Sequence, residues 1–294
     1  MPAKTDQNET RMVPSSHPNK VRMLVLETDD LHPDATQEDR DGFGHVLGEL
    51  FKQAGDEHEP SLGIETVIRY IIEDKGGKVP TPDEIGDDIH AILITGSMYD
   101  AYGEEEWIKK LMGLIRHLWI HRPDIRFSGI CFGHQLLCRV LGSPVGPEPT
   151  GKWEISHNAV KLTDVGRHLF NLPPEKKEIY LHQMHIDYVE KPPVPNGENR
   201  DLLPPGTKVH VWGTSEHTGV QGCYIHKRLF SSQGHMEFSE GMVRKQLEKR
   251  VETGALNEKD ADEAAERADW MHDGLLVAKA VLRFFHGDDD KFQC

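Results

Sequence analysis

The sequence predicts an α/β fold: a doubly wound, mostly parallel sheet flanked by helices, with a smaller β-rich second half. In the first half of the chain, short apolar runs alternate with segments of helical periodicity. That alternation is typical of parallel strands that are buried on both faces. After Gly142 the pattern changes to shorter β-like pieces separated by proline-rich turns. Functional loops are expected at the carboxyl ends of the parallel strands.

The first half supplies the predicted parallel strands and two of their helices. Residues 21–27 (VRMLVLE) and 90–95 (HAILIT) are apolar runs that predict buried strands. Residues 66–72 are rich in β-branched side chains and are predicted as a strand, although their pattern also suits a helix. Residues 41–53 and 104–121 carry apolar side chains three and four apart, which predicts helices.

The second half is predicted to contain five β-like pieces and two closing helices. The β-like pieces are residues 153–162, 178–182, 209–213, 219–226 and 229–233. The helices cover residues 239–252 and about 257–285. We interpret residues 21–286 as one domain, preceded by a disordered polar lead-in (residues 1–20) and followed by an acidic tail (residues 287–294).

Charge and cysteine usage limit the classes of partner and compartment. The 294 residues include 34 basic and 49 acidic side chains, and the net charge of −15 argues against nucleic acid or an anionic membrane surface as partner. No apolar run approaches transmembrane length. Cys131, Cys138, Cys223 and Cys294 show no Cys-x-x-Cys spacing, so we expect a reduced, cytoplasmic protein that holds neither a metal nor a cofactor.

The chain is organised around the stretch that contains Cys131. An apolar strand is predicted up to residue 130, and a helix is predicted to start directly after the cysteine. Gly129 and Gly133 flank Cys131 at two residues on each side, which is the spacing of a nucleophile elbow. A helix N-terminus at the sulfur favours the thiolate, the reactive form. The same five residues also suit a structural cysteine buried in a glycine-containing turn.

Two histidine clusters offer a partner for the thiol. His235 and Glu237 are two residues apart after a predicted strand, so in extended backbone the carboxylate can orient the imidazole. A surface histidine beside a helix-capping glutamate is the alternative. His182, His185 and Asp187 resemble a set of metal ligands, but a segment of strand and turn does not bring the two histidines together. A loop that lines the pocket fits this cluster better.

The turn at Gly96 and Ser97 lies at another strand end. A glycine there allows backbone N–H groups to approach a reacting atom, as in an oxyanion hole. The turn lacks the Gly-x-x-x-x-Gly-Lys pattern of a phosphate-binding loop.

Two motifs together resemble the class I glutamine amidotransferase family, which has a flavodoxin-like fold. They are Gly129-x-Cys131-x-Gly133-x-Gln135 and, about a hundred residues later, Gln233-Gly234-His235-x-Glu237-Phe238. The resemblance implies that Cys131 attacks a side-chain amide of glutamine type, that His235 relays protons and that Glu237 orients His235. Met236 stands where the family usually has proline, which should alter local rigidity more than the chemistry.

The resemblance also implies supporting roles at matching positions. Three backbone N–H groups would form the oxyanion hole: those of Gly96, Ser97 and Phe132. A second set would hold the glutamyl part of the substrate: the side chain of Gln135 and the backbone at Met184 and His185.

Three functions remain open from the sequence. The first is hydrolysis of a γ-glutamyl amide bond in glutathione, a glutathione conjugate or glutamine through a γ-glutamyl thioester, as in the plant γ-glutamyl peptidases that the chain resembles. The second is a glutaminase subunit that supplies ammonia to a separate synthase partner, since no synthetase domain is recognisable after the last helix. The third is a non-catalytic regulatory protein on the same fold, against which the intact cysteine, histidine and glutamate argue. Loops at residues 98–103 and 192–201 are expected to border the leaving group.

Overall fold

The structure is a computed structural model that describes residues 10–15, 17–29, 42–196 and 199–291. A ten-stranded sheet forms its centre, and a pair of short strands lies apart from it. The strands are β1 (Arg11–Val13), β2 (Lys20–Glu27), β3 (Gly63–Tyr70), β4 (Ala91–Ile94), β5 (Arg126–Ile130), β6 (Val145–Pro147), β7 (Glu154–Leu162), β8 (Glu178–His185), β9 (Asp187–Val189), β10 (His210–Thr214), β11 (Gly222–Ile225) and β12 (Leu229–Ser232). The helices are α1 (Gly42–Asp56), α2 (Glu106–His121), α3 (Phe132–Val140), α4 (Asp164–Leu169), α5 (Glu240–Glu252), α6 (Glu258–Ala265) and α7 (Gly274–Phe285).

The predicted α/β fold is confirmed. In the large sheet the strand order is β1-β3-β2-β4-β5-β12-β11-β10-β7-β8. The neighbours from β3 to β12 pair in parallel, and the strands on both sides of this group pair antiparallel. The β-rich second half therefore extends the same sheet, and β6 and β9 form the separate pair.

One strand of the second half decides where the site lies. β12 follows more than ninety residues after β5 in the chain, yet it pairs with β5 in parallel, with Ser232 opposite Ile130. Because parallel neighbours end at the same edge, the segments that follow β5 and β12 lie side by side.

The parallel strands are buried on both faces, as their apolar runs predict. Along β2, Leu24 and Leu26 belong to one core cluster, whereas Met23 and Val25 belong to the other. Alternate side chains of a strand point to opposite faces, so β2 must be covered on both sides. Helices α2 and α3 cover the first face, and α1 and α7 cover the second. In the described part of the chain, no helix combines the length and apolar character needed to cross a membrane.

Part of the predicted disordered lead-in is a strand. Residues 1–9 and residue 16 lie outside the described residues, but Arg11–Val13 forms β1 and pairs antiparallel with β3. Val13 is buried, and the side chain of Arg11 forms an ion pair with Glu27. The prediction is wrong at these three residues because an edge partner, invisible in the local sequence, completes their hydrogen bonds.

The single helix predicted over about residues 257–285 is also wrong. Helices α6 and α7 are separate, and residues 266–273 lie between them. The break is held by tertiary contacts: the N–H of Asp273 donates to the Tyr180 carbonyl at 2.7 Å, and the Tyr180 N–H donates to Oδ2 of Asp273 at 2.8 Å. Helical propensity is weak enough for such contacts to override it.

The acidic tail predicted from residue 287 is bound to the rest of the protein at Asp289. The Asp289 carboxylate is buried, accepts hydrogen bonds from Tyr224 Oη at 2.9 Å and from the Lys227 N–H at 2.8 Å, and pairs with Arg126 at 2.6 Å. Residues 292–294 lie outside the described residues.

Candidate active site

Cys131 occupies the sharp turn between β5 and α3. Its backbone has φ 49° and ψ −107°, a conformation that costs a residue with a side chain about 1–3 kcal/mol. The two flanking glycines make the turn possible. A Cβ at Gly129 would lie 2.4 Å from the carbonyl carbon of Gly133, and a Cβ at Gly133 would lie 2.2 Å from the carbonyl oxygen of Ile94. The glycine spacing read from the sequence therefore corresponds to a strained strand-turn-helix in the fold.

The neighbouring strand fixes the position of Cys131. The Cys131 N–H donates to the carbonyl of Ser232, the last residue of β12, at 2.9 Å. Helix α3 begins at the next residue, Phe132. The sulfur-bearing residue is therefore held at the N-terminus of a helix and beside the segment that carries the second motif.

His235 and Glu237 form a buried pair in that segment. Nδ1 of His235 donates to Oε1 of Glu237 at 2.8 Å, and both side chains are at most 5% exposed. The His235 N–H donates to the carbonyl of His182 on β8 at 2.8 Å. The imidazole also stacks on the Phe238 ring, with centroids 3.7 Å apart and planes 16° apart. These contacts hold the ring from its Nδ1 edge and from one face.

The electrostatics of this group favour a charged imidazole. Burial lowers the pKa of His235, but the Glu237 carboxylate and the Cys131 side chain raise it to about 10. His235 is therefore an imidazolium at neutral pH and can stabilise a neighbouring thiolate.

The turn after β4 lies against the same two side chains. A Cβ at Gly96 would lie 2.8 Å from Cε1 of His235 and 3.7 Å from Cβ of Cys131. A side chain at position 96 would therefore displace the imidazole. The Thr28 hydroxyl donates to the Gly96 carbonyl at 2.9 Å, which directs the plane of this peptide.

Backbone donors remain available around Cys131. Within the described ranges, no backbone hydrogen bond takes up the N–H groups of Gly96, Ser97 or Phe132. The Ser97 side chain instead accepts a hydrogen bond from the Tyr99 N–H at 3.1 Å. Free N–H groups at a strand end and at a helix N-terminus can bind a developing oxyanion.

Gln135 joins three elements near the turn. Its Nε2 donates to the carbonyl of Asp187 at 2.7 Å and to Oε1 of Gln233 at 3.1 Å. The side chain therefore ties α3 to the start of β9 and to the segment after β12.

Met184 and His185 are the last two residues of strand β8. The prediction of a loop at this cluster is therefore wrong for these two residues. The strand continues to His185 because residues 178–185 pair in full register with β7. Nδ1 of His185 donates to the Asp187 carbonyl at 3.0 Å, and its Nε2 lies 3.2 Å from Oε2 of Glu154. Burial raises the pKa of Glu154, but His185 lowers it to about 2.

Among the described residues, no group of three or more histidine, cysteine or acidic side chains is arranged to hold a metal ion. His182 is the remaining histidine of the first cluster. It is buried, and its Nδ1 atom lacks a hydrogen-bond partner. Burial and the neighbouring His272 lower the pKa of His182 to about 3.

Two residues of the site, Phe238 and Arg250, were assigned no role from the sequence alone. Phe238 ends the second motif, so an aromatic side chain next to a candidate histidine is a local signal for the stacking seen here. Arg250 on α5 is 7% exposed and interacts electrostatically with Cys131. No local signal marks it, because only the tertiary fold brings α5 to the turn.

The sequence is similar to those of known proteins. A family model described as glutamine amidotransferase class-I matches residues 71–251. A glutamine amidotransferase-like protein of Schizosaccharomyces pombe is 32% identical over 196 residues, which are 67% of this chain and 72% of that protein. Gamma-glutamyl peptidase 2 of Arabidopsis thaliana is 28% identical over 167 residues, which are 57% of this chain and 60% of that protein.

A crystal structure of a glutamine amidotransferase from Thermotoga maritima has the same fold. Its TM-score is 0.62 at 20% sequence identity, and the match covers 92% of this chain and 99% of that chain. The family model and the fungal relative lead to one conclusion: this chain belongs to the class-I glutamine amidotransferase family.

Proposed function

We propose that this protein hydrolyses γ-glutamyl amide bonds through a thioester on Cys131. The observation that carries the proposal is the position of Cys131, in its strained turn, beside the hydrogen-bonded pair of His235 and Glu237. Membership of the amidotransferase family supports attack on an amide of glutamine type. The relatives named gamma-glutamyl peptidases in Arabidopsis thaliana support a peptide or conjugate as the substrate.

In the first half of the reaction, the Cys131 thiolate attacks the γ-carbonyl carbon of the substrate. Negative charge develops on the carbonyl oxygen, and the N–H groups of Phe132, Gly96 and Ser97 donate to it. As the intermediate collapses, the carbon–nitrogen bond breaks and His235 gives its proton to the leaving amine. The products of this step are a γ-glutamyl thioester and a free amine.

In the second half, a water molecule attacks the thioester. His235, now neutral, takes a proton from the water, and the same N–H groups hold the second oxyanion. The carbon–sulfur bond then breaks, so glutamate leaves and the pair of thiolate and imidazolium is restored. Glu237 keeps Nδ1 of His235 protonated and directs Nε2 to the reacting atoms throughout.

The glutamyl part of the substrate is proposed to bind on the side of α3 and β8. Gln135 bridges the start of β9 and the segment after β12, so its amide group is fixed near the nucleophile. The backbone at Met184 and His185 ends β8 beside the His182 carbonyl that holds His235. These residues are suited to the α-amino and α-carboxylate groups of a γ-glutamyl substrate.

A substrate screen tests this function. The purified protein is incubated separately with glutamine, glutathione and an S-substituted glutathione, and released glutamate is measured. A peptidase should show a higher kcat/KM for the γ-glutamyl peptides than for glutamine. Activity with glutamine alone, and only after a cell extract is added, would instead identify an ammonia-donating subunit with a separate synthase partner.

Cys138 provides a matched control for the nucleophile. It lies on α3 with its sulfur 3.7 Å from that of Cys223, in the apolar interior. Cys138→Ala should keep the ranking of the substrates, whereas Cys131→Ala should release no glutamate from any of them.

A further inference from the structure

Arg250 is a buried cation that lacks a protein partner at its Nε atom. The residue is 7% exposed, and the Nε atom is buried without a hydrogen bond. No carboxylate in the described ranges forms an ion pair with it, although the adjacent Lys249 lies 3.8 Å from Asp29. A buried N–H donor without an acceptor destabilises a fold unless an acceptor binds it.

The surroundings of Arg250 place it at the candidate active site. Its guanidinium contacts the sulfur of Met98, the residue that follows the Gly96–Ser97 turn, and lies 5.5 Å from the centre of the Trp153 ring. Burial lowers the pKa of Arg250, whereas the charges of Cys131, Asp29 and Asp187 raise it. The guanidinium is therefore within electrostatic range of the sulfur that attacks the substrate in the proposed mechanism.

We propose that Arg250 binds a carboxylate of the substrate and so determines which γ-glutamyl compounds react. A guanidinium offers a planar pair of donors that matches a carboxylate, and a stacked, buried guanidinium is already desolvated and oriented. The inference rests on the proposed function, which supplies two carboxylates near Cys131: the α-carboxylate of the γ-glutamyl group and the terminal carboxylate of a peptide leaving group.

The contact with Met98 indicates that Arg250 binds the terminal carboxylate of the leaving group rather than the α-carboxylate of the γ-glutamyl group. Met98 begins the loop of residues 98–103 directly after the proposed oxyanion turn, whereas the glutamyl group is proposed to bind at α3 and β8. A cation on the loop side would select peptides that end in a carboxylate over glutamine, whose leaving group is ammonia.

Three matched substrates test the proposal. γ-Glutamylglycine carries both carboxylates, γ-glutamylglycinamide lacks the terminal one, and the analogue amidated at the α-carboxylate lacks the other. In the wild-type protein, loss of the carboxylate that Arg250 binds should lower kcat/KM by about 10- to 100-fold. In Arg250→Gln this discrimination should largely disappear, because a neutral side chain binds a substrate carboxylate only slightly better than it binds the corresponding amide. The analogue that ceases to be discriminated identifies which carboxylate Arg250 binds.

Arg244→Gln is the control on the same helix. Arg244 is exposed and pairs with Glu240 at 2.8 Å, so this variant should discriminate among the three substrates as the wild type does. Arg250→Lys should keep part of the discrimination, since it retains the charge without the planar donors.

Each outcome has a defined meaning. If γ-glutamylglycine is hydrolysed but Arg250→Gln discriminates as the wild type does, the role of Arg250 is wrong and the proposed function stands. If none of the γ-glutamyl compounds releases glutamate, the proposed function itself fails. If Arg250→Gln does not fold, the kinetics of the wild type still test the proposal. Equal kcat/KM values of the wild type for all three substrates would contradict a carboxylate-binding role of Arg250.

Discussion

At the scale of single residues, the proposed chemistry depends on His235 more than on Glu237. Substitution of His235 by alanine removes the group that delivers the proton to the leaving amine, and general acid catalysis of this kind contributes about 10²- to 10⁴-fold. Glu237→Gln keeps the imidazole and its stacking partner Phe238, and the amide oxygen of the new side chain can still accept a hydrogen bond from Nδ1. Its loss should be roughly tenfold smaller than that of His235→Ala. Steady-state kinetics with glutathione compares the two, and the reverse order would contradict the assigned roles.

The same histidine links stability to pH. Its pKa is raised in the folded protein from 6.5 to about 10, so the folded state binds the proton more tightly than the unfolded state. The stabilisation is fully present below pH 6.5 and is lost as the pH rises through about 10. The difference in unfolding free energy between the wild type and His235→Gln should therefore shrink over this interval. Urea titrations at several pH values measure this difference. A difference that does not change with pH would show that Glu237 does not stabilise a protonated His235 in the folded protein.

At the scale of elements, the turn after β4 controls the site by shape. Gly96→Ala places a methyl group 2.8 Å from Cε1 of His235, and a displacement of about 1 Å at a reacting group can cost about 10²-fold in rate. We expect a folded variant with roughly that loss in kcat/KM. Unchanged activity would mean that the turn does not border the reacting atoms.

Gly113→Ala is the matched glycine control. Gly113 lies on the exposed side of α2, and a Cβ there would have no neighbour within 4 Å. This change should leave kcat/KM unaltered and stabilise the protein by about 0.5–1 kcal/mol, because alanine favours a helix over glycine. Thermal unfolding of both variants reports the stability.

The elements also show what the local sequence determines. Apolar runs and 3.6-residue periodicity predicted β2, β4, α1 and α2, because burial on one or both faces leaves a direct pattern in the chain. The break between α6 and α7 leaves none, since it depends on Tyr180, which is more than eighty residues away. The strand β1 likewise depends on its partner β3.

At the scale of the whole molecule, topology assembles the site. The two motifs were recognisable separately, but their contact depends on the parallel pairing of β12 with β5. Arg250 could not be predicted in this way, because α5 follows β12 and comes within electrostatic range of Cys131 only through the packing of the complete fold. The order of strands and helices in the first half and the residues of the two motifs were thus predictable, whereas the position of Arg250 was not.

Detection of the covalent intermediate tests the proposed mechanism most directly. The protein is mixed with glutathione, quenched with acid during turnover and digested, and the peptides are analysed by mass spectrometry. The mechanism predicts a glutamyl group on the peptide that contains Cys131, and no such adduct in Cys131→Ala, which should also be inactive. A glutamyl adduct on another residue, or steady release of glutamate by Cys131→Ala, would contradict it.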